Sequence, residues 1–399
     1  MNLKKNNVMF LTGTRADFGK MKTLMLKLQE DSRFEVLVFG TGMHMLSKFG
    51  GTWDEVQKAK LKNIYKFINQ NENDSMDQIL AKTIAGLSDY VKEMRPDMLV
   101  VHGDRVEALA GAIVGSLNNI RVAHIEGGEV SGTIDELIRH AVSKLSHIHF
   151  VSNESAMRRL IQLGERYESI YTIGSPDIDA MNSSTLPDLS EVMRYYDFDF
   201  SNYGILIFHP VTTEFKNIRK QVTVLIDAIF ATNQNFVVLF PNNDHGSEVI
   251  LEEYERFSGL LRIAVYPSMR FEYFLTLLKN ARYIIGNSSS GIREAPYYGV
   301  PAINLGSRQN NRVKTESVLN VDIVFSDIID AISKTESMPR TVVELFGNGN
   351  STEAFYQALL DDAIWAVDTQ KFFMDYASLE NSNTQNNTQT LNNNEEEMI

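Results

Sequence analysis

Arg95-Pro96-Asp97-Met98-Leu99-Val100-Val101-His102-Gly103-Asp104-Arg105 decides how this chain folds. Upstream of it, Met76, Ile79, Leu80, Ile84, Leu87, Val91 and Met94 recur at helical spacing. Pro96 ends that helix, because its ring removes a backbone donor. Residues 98–101 are apolar without alternation, as in a strand buried on both faces. Four polar or small residues then follow, and the next helical pattern begins. The same sequence of strand, polar turn and helix repeats outward from this point. Residues 8–11 end in Thr12-Gly13-Thr14-Arg15 and lead into a helix with Met21, Leu24, Met25 and Leu28 on one face. Apolar runs recur at 34–39, 122–125, 149–152 and 170–173. Such a pattern predicts a parallel sheet covered by helices on both sides. Sheets of this kind bind ligands at the carboxyl ends of their strands, so the polar turns are where function is to be sought.

A second series follows, with predicted strands at 205–208, 236–240, 263–266, 283–285, 302–305 and 321–325. Together the two series predict an α/β protein with two Rossmann-like domains facing a cleft. The expected division is 1–180 for the first domain and 181–361 for the second. Residues 175–202 are rich in Ser, Asp, Asn and Pro and are read as an irregular hinge. A helix at about 362–380 is expected to cross back to the first domain. Residues 381–399, rich in Asn, Gln and Thr, cannot bury a core and are expected to be a disordered tail.

Bulk properties bound the possibilities further. A chain of 399 residues is long enough for two domains, and a hydrophobic fraction of 43% gives each a core. The formal charge of −13 disfavours nucleic acid and anionic membranes as partners. It leaves room for a small anionic ligand, since a few arginines can create a local positive site. There is no cysteine, which excludes disulfides, zinc–thiolate sites and thiol nucleophiles. No stretch approaches the roughly 20 apolar residues of a membrane span. The expected location is cytoplasmic.

The polar turns contain acids, arginines and histidines. Thr14-Arg15-Ala16-Asp17, His102-Gly103-Asp104-Arg105 and His124-Ile125-Glu126-Gly127-Gly128-Glu129 lie in the first half, with Thr133-Ile134-Asp135 at the next helix. His209-Pro210-Val211-Thr212-Thr213 and Phe240-Pro241-Asn242 lie in the second. Gly286-Asn287-Ser288-Ser289-Ser290-Gly291-Ile292-Arg293-Glu294 follows a strand and opens a helix predicted to begin near Ser290, as an anion cradle would. It lacks the phosphate-loop lysine and the dinucleotide glycine pattern. Each cluster also has a plain structural reading. Ser288 or Ser289 can be an ordinary helix cap. Thr133 to Glu136 can be a capping box. Asp104 and Arg105 can form an ion pair, and His102 and His124 can be core histidines. What separates the two readings is the joint placement of these residues at strand ends.

Val101–Arg105, His124–Asp135, His209–Thr213, Gly286–Glu294 and Asn304-Leu305-Gly306-Ser307-Arg308-Gln309 resemble signature segments of the hydrolysing UDP-N-acetylglucosamine 2-epimerases. The resemblance runs in order from Thr12 to about Arg312. It implies the glycosyltransferase-B arrangement of two Rossmann-like domains. It also implies catalytic roles for Asp104, Glu126, Asp135 and His209. Arg15, Asp17, Arg105, Asn242, Ser288, Ser289, Glu294 and Arg308 would bind the nucleotide sugar. No cofactor and no metal are implied. The expected partners are a UDP-sugar substrate, the product UDP and further copies of the chain, as a dimer or tetramer.

The implied reaction takes UDP from C1 and a proton from C2, giving a glycal. Water then adds at C1, a proton returns to C2 on the other face, and N-acetylmannosamine leaves, for synthesis of sialic-acid-type sugars. Two proton transfers on opposite faces call for clustered carboxylates. A departing diphosphate calls for arginines and aligned donors. The residues do not decide which carboxylate takes the proton and which returns it. The same reaction on UDP-2,4-diacetamido-2,4,6-trideoxyglucose, on the legionaminic acid route, is an alternative. So are a non-hydrolysing epimerase, a glycosyltransferase of the same fold and an inactive nucleotide-sugar sensor.

Overall fold

The structure, a computed structural model, describes residues 5–71, 74–131, 133–310 and 315–375. The expected tail lies outside them. The first sheet has seven parallel strands: β1 (Asn6–Thr12), β2 (Phe34–Gly40), β3 (Asn63–Lys66), β4 (Met98–His102), β5 (Arg121–Ile125), β6 (Ile148–Val151) and β7 (Ile170–Thr172). Their spatial order is β3-β2-β1-β4-β5-β6-β7. The second sheet has six: β8 (Tyr203–Ile207), β9 (Asn235–Leu239), β10 (Ile263–Tyr266), β11 (Tyr283–Gly286), β12 (Ala302–Leu305) and β13 (Val318–Val321). Its order is β10-β9-β8-β11-β12-β13. In both sheets the order reverses beside the first strand, between β1 and β4 and between β8 and β11. That reversal opens a crevice at the strands' carboxyl ends.

The continuous apolar runs are explained by burial on both faces. Val8, Phe10, Val36 and Val38 pack on one side of the first sheet, and Met9, Leu11, Leu37 and Phe39 on the other. The helix Met76–Met94 buries Ile79, Leu87 and Val91 and stops at Arg95, which takes a left-handed conformation (φ 46°) before Pro96.

The structure corrects several expectations. Residues 175–202 are not an irregular hinge. They carry the helices Pro176–Met181 and Leu189–Tyr196. Pro176 suits a first turn, where no backbone donor is needed, and the Asp188 carboxylate accepts from Glu191 N at 2.8 Å. Ile178, Met181 and Val192 join the core of the second domain, so the crossing lies nearer Gly174 than residue 180. The return crossing also comes earlier than residue 362. The helix Ser351–Leu360 and the short helix Asp362–Trp365 place Phe355, Leu359 and Ile364 in the first domain's core. Helix does not run on to 375 among the described residues. The carbonyls it would use are taken from outside: Arg121 Nε donates to Val367 O and His147 Nε2 meets Thr369 O, each at 3.0 Å. The last strand ends at Val321, and Phe325 starts the helix Phe325–Thr335 instead. The edge strand β3 was not foreseen.

The two crossings touch. Ser175 N donates to Phe346 O at 2.7 Å. Gly174 (φ 82°) and Gly347 (φ 110°) meet so closely that a Cβ on Gly347 would lie 2.9 Å from Gly174 Cα. Only glycine fits both the backbone angle and the gap.

Candidate active site

The turn after β1 is built by its own side chains. Thr14 and Asp17 form a capping box at the start of the helix Arg15–Gln29. Asp17 further accepts from Gly13 N at 3.0 Å and Thr12 Oγ1 at 2.5 Å. Its carboxylate is thus spent on holding the turn that presents Arg15. Arg15 reaches across the cleft, donating from Nη1 to Ser268 Oγ at 2.6 Å.

After β4, Asp104 pairs with Arg139 and not with Arg105. Arg105 turns instead to Glu107 at 3.3 Å and to Asn243 Oδ1 of the other domain at 2.8 Å. Within β5, His124 is a satisfied core histidine. It bonds Gly103 O at 2.8 Å and Ser143 Oγ at 3.0 Å, and burial pushes its pKa down to about 3. Glu126, two residues on, holds a positive φ of 69°, a costly conformation for a non-glycine residue.

Glu126 anchors a buried charge cluster. Lys20 Nζ lies 2.9 Å from it, 3.3 Å from Asp177 and 4.0 Å from Glu294. Arg293 Nη2 lies 2.9 Å from it and also donates to Ser175, while Nη1 donates to Glu129. His102 Nε2 stands 3.5 Å away. Burial alone would raise the Glu126 carboxyl, but Arg293 and Lys20 more than reverse this and hold it well below the usual range. Glu294 is shifted the other way. Burial raises it, Lys20 offsets this only in part, and Asp177 adds to it. Two carboxyl groups sharing one lysine are thereby shifted in opposite directions.

Asp135 sits in the first turn of the helix Ile134–Leu145, but the cap there is Thr133, whose hydroxyl accepts from Asp135 N at 3.4 Å. The predicted capping box does not form, because Glu136 bonds Ser131 N instead. The Asp135 carboxylate crosses the cleft to Arg308 at 3.0 Å.

In the second domain, Asn242 N donates to His209 Nδ1 at 3.0 Å, which leaves Nε2 to carry the ring proton. Burial, then Arg308 and Arg105, push this imidazole well below the usual histidine range. Asn287 holds the His209 backbone from both sides, at 2.6 and 2.8 Å. Ser288 caps a 3-10 turn, Ser289–Gly291, and only the four-residue helix Glu294–Tyr297 follows. The expected α-helix from Ser290 is absent, so little helix dipole acts here. The serine hydroxyls and the exposed turn remain as donors.

All the predicted site residues line one cavity of about 320 Å³ between the domains: Arg15, Asp17, Asp104, Arg105, Glu126, Asp135, His209, Asn242, Ser288, Ser289, Glu294 and Arg308. It lies where the strand order reverses in both sheets. Arg15 Nε, Arg139 Nε and Nη1, Asn242 Oδ1 and Glu294 Oε2 are buried there without a hydrogen-bond partner among the described residues. A polar ligand would satisfy such atoms. Among the described residues no His, Asp and Glu group has the arrangement of a metal site.

Sequence reading missed Lys20, Asp177, Arg139 and Arg293. Lys20 carried a signal, since it stands one turn before Leu24 on the buried stripe of its helix.

With the geometry in hand, comparison places the chain. Residues 26–360 match the family described as UDP-N-acetylglucosamine 2-epimerase. The chain belongs to that family. It is 46% identical over 372 residues to the UDP-N-acetylglucosamine 2-epimerase of Neisseria meningitidis serogroup B, covering 92% of this chain and 98% of that one. It is 34% identical over 358 residues to the UDP-N,N'-diacetylbacillosamine 2-epimerase (hydrolyzing) of Legionella pneumophila, covering 88% and 95%. Among solved structures, UDP-GlcNAc 2-epimerase from Neisseria meningitidis bound to UDP-GlcNAc superposes with a TM-score of 0.74 at 21% identity, over 89% of this chain and 99% of that one. The Methanocaldococcus jannaschii enzyme in complex with UDP-GlcNAc and UDP gives 0.76 at 22% identity, over the same shares. These structures share the fold, the two-domain glycosyltransferase-B arrangement, with this epimerase-family chain.

Proposed function

We propose that this chain is a hydrolysing epimerase that converts UDP-N-acetylglucosamine and water into N-acetylmannosamine and UDP. The observation that carries the reading is the convergence of two chemically distinct walls on one cavity. The first domain supplies Asp104, Glu126 and Asp135; the second supplies His209, Ser288, Ser289 and Arg308. Acids face the sugar carbon that inverts, and donors face the diphosphate that leaves.

Elimination takes the C2 proton onto a carboxylate, forms the C1–C2 double bond and sends the C1–O electron pair to the diphosphate. Glu126 enters as a carboxylate, because Arg293 and Lys20 keep it ionised. It can therefore accept the C2 proton at the outset but has none to donate. Asp104 or Asp135, once protonated from solvent, returns that proton to C2 from the other face while water adds at C1 and loses its own proton to solvent. His209, neutral with Nε2–H, is suited to donate a hydrogen bond to a diphosphate oxygen. Glu294, in the same cavity, can accept from a sugar hydroxyl. The relative of 46% identity supports N-acetylglucosamine as the sugar, and a role in supplying sialic-acid-type synthesis follows from that product.

The test is product analysis in deuterium oxide with oxygen-18 water. Free N-acetylmannosamine with deuterium at C2 and the label at C1 is expected. UDP-N-acetylmannosamine as the final product would make the enzyme non-hydrolysing, and absence of deuterium at C2 would rule out the glycal route. A strong preference for the 2,4-diacetamido-6-deoxy substrate in a parallel assay would move the sugar assignment to the alternative named above.

A further inference from the structure

Arg308 is committed at both ends of its guanidinium. Nη2 donates to Asp135 Oδ2 at 3.0 Å, across the cleft, and Nη1 donates to Asn287 O at 3.3 Å. The pair is partly shielded, with side-chain exposures of 11% for Arg308 and 18% for Asp135. Asp135 has its backbone N–H capped by Thr133, so its carboxylate is not needed for the helix. Arg308 is also the cation that the proposed reaction needs at the diphosphate. One guanidinium therefore faces two anionic claims: a carboxylate from the first domain and a phosphate bound to the second.

We propose that Asp135 and the nucleotide diphosphate compete for Arg308, so that nucleotide occupancy releases the Asp135 carboxylate into the cavity. The inference rests on the reading of the cleft as a UDP-sugar site and adds a rule of timing to it. Asp135 is held away from the sugar by its partner until an anion takes that partner over. Cleavage of the C1–O bond increases the charge on the diphosphate and strengthens its claim on Arg308. Asp135 is then freest when the glycal is in the site and a proton must be handled at C2. By taking Arg308 back from the diphosphate, Asp135 favours UDP release, and the pair is restored once the cavity is vacated.

The consequence is counter-intuitive for a residue in a binding cleft, because removing its charge improves binding. The measurement is UDP affinity by calorimetry for wild type, Asp135→Asn, Arg308→Ala and the double variant. Asp135→Asn is expected to bind UDP about three- to tenfold more tightly, the change that suits loss of a partly exposed ion-pair competitor. Arg308→Ala is expected to bind it more weakly. In the Arg308→Ala background, Asp135→Asn is expected to add little. Inorganic pyrophosphate as probe should show the same pattern, since the competition concerns the phosphates alone.

The outcomes separate the two claims. If Arg308→Ala leaves UDP affinity unchanged, the placement of UDP against Arg308 fails and the inference falls with it. If Arg308→Ala weakens binding but Asp135→Asn does not tighten it, the competition alone is overturned. If Asp135→Asn tightens binding equally with and without Arg308, the effect is simple repulsion between Asp135 and phosphate, and Arg308 is not the shared partner.

Discussion

Arg293 Nη2 lies 2.9 Å from Glu126 Oε1, and both side chains are almost wholly buried. The same guanidinium faces Glu129 and Asp177. Replacing it with an uncharged residue, as in Arg293→Met, strands the buried Glu129 carboxylate and leaves Glu126 and Asp177 to Lys20. The expected cost is about 3–5 kcal/mol of stability, typical for breaking a buried pair from one side. Chemical denaturation checks it. Adding Glu126→Gln to the variant should restore part of the loss, because it removes one of the charges the guanidinium had balanced. Unchanged stability in Arg293→Met would show that the cluster does not hold the domains together.

Glu126→Gln and Asp104→Asn should each lower turnover by about 10²–10⁴-fold, the usual worth of a positioned proton donor or acceptor. UDP affinity should stay within a few-fold, since most diphosphate donors lie in the other domain. Asp135→Asn should lose turnover to a similar degree. Its helix should survive, because Thr133 provides the cap. Rates from single-turnover assays decide this, and a fully active Asp135→Asn would remove that residue from the chemistry.

His209 should remain neutral across the working pH range, with its proton on Nε2. Burial, Arg308 and Arg105 all oppose an imidazolium, and Asn242 N occupies Nδ1. Nitrogen-15 NMR of labelled histidine reports both the charge state and the tautomer. An imidazolium signal for this residue near neutral pH would contradict the assignment.

Ser288→Ala combined with Ser289→Ala should weaken UDP binding more than folding. Each hydroxyl bond to a charged oxygen is worth about 1.5–3 kcal/mol. Ser288 Oγ already accepts from Ser290 N at 3.3 Å, so it has its proton free to donate. Calorimetry with UDP is the readout, and equal affinity in the double variant would move the diphosphate elsewhere in the cleft.

Glu165 should make part of the protein's stability acid-sensitive. Burial would raise its carboxyl, but His149 and Lys371 outweigh that and set its pKa at about 2. A depressed folded-state value stabilises the fold above the ordinary carboxylate pKa and loses that contribution as pH falls toward 2. The stability difference between wild type and Glu165→Gln should therefore be largest near neutral pH and narrow on acidification. A difference independent of pH would mean that the charge of Glu165 is not what matters.

Much of the architecture was legible because it rests on local pattern. Apolar runs such as Val8 to Leu11 need both sheet faces covered, and the helix before Pro96 announces its own end. The site residues were legible because they follow strand ends, where the fold gathers them. The buried cluster was less so. Arg293 and Asp177 stand beside Glu294 and Pro176, next to a serine-rich turn and in a polar stretch, and their burial depends on contacts made between the domains. Whether a charge is solvated or locked inside is a property of three-dimensional packing, not of its neighbours in the chain. The edge strand β3, with sequence Asn63-Ile64-Tyr65-Lys66, is short and half polar, so its pairing with β2 carries no strong signal of its own. The segment after Trp365 was misread for the opposite reason: its apolar residues, such as Phe372 and Phe373, suggest a buried helix, yet they remain exposed.

Gly174 and Gly347 carry a mechanical consequence. The chain passes between the domains twice, and both passages go through the point where these two glycines meet. A body tethered to another at a single point can swing but cannot slide. Any opening of the cleft would have to be a rotation about that axle, with displacement growing with distance from it. Ser175, adjoining Gly174, is bonded to Arg293, which in turn grips Glu126. The group proposed to take the C2 proton is therefore mounted close to the axle, where swinging disturbs its grip least.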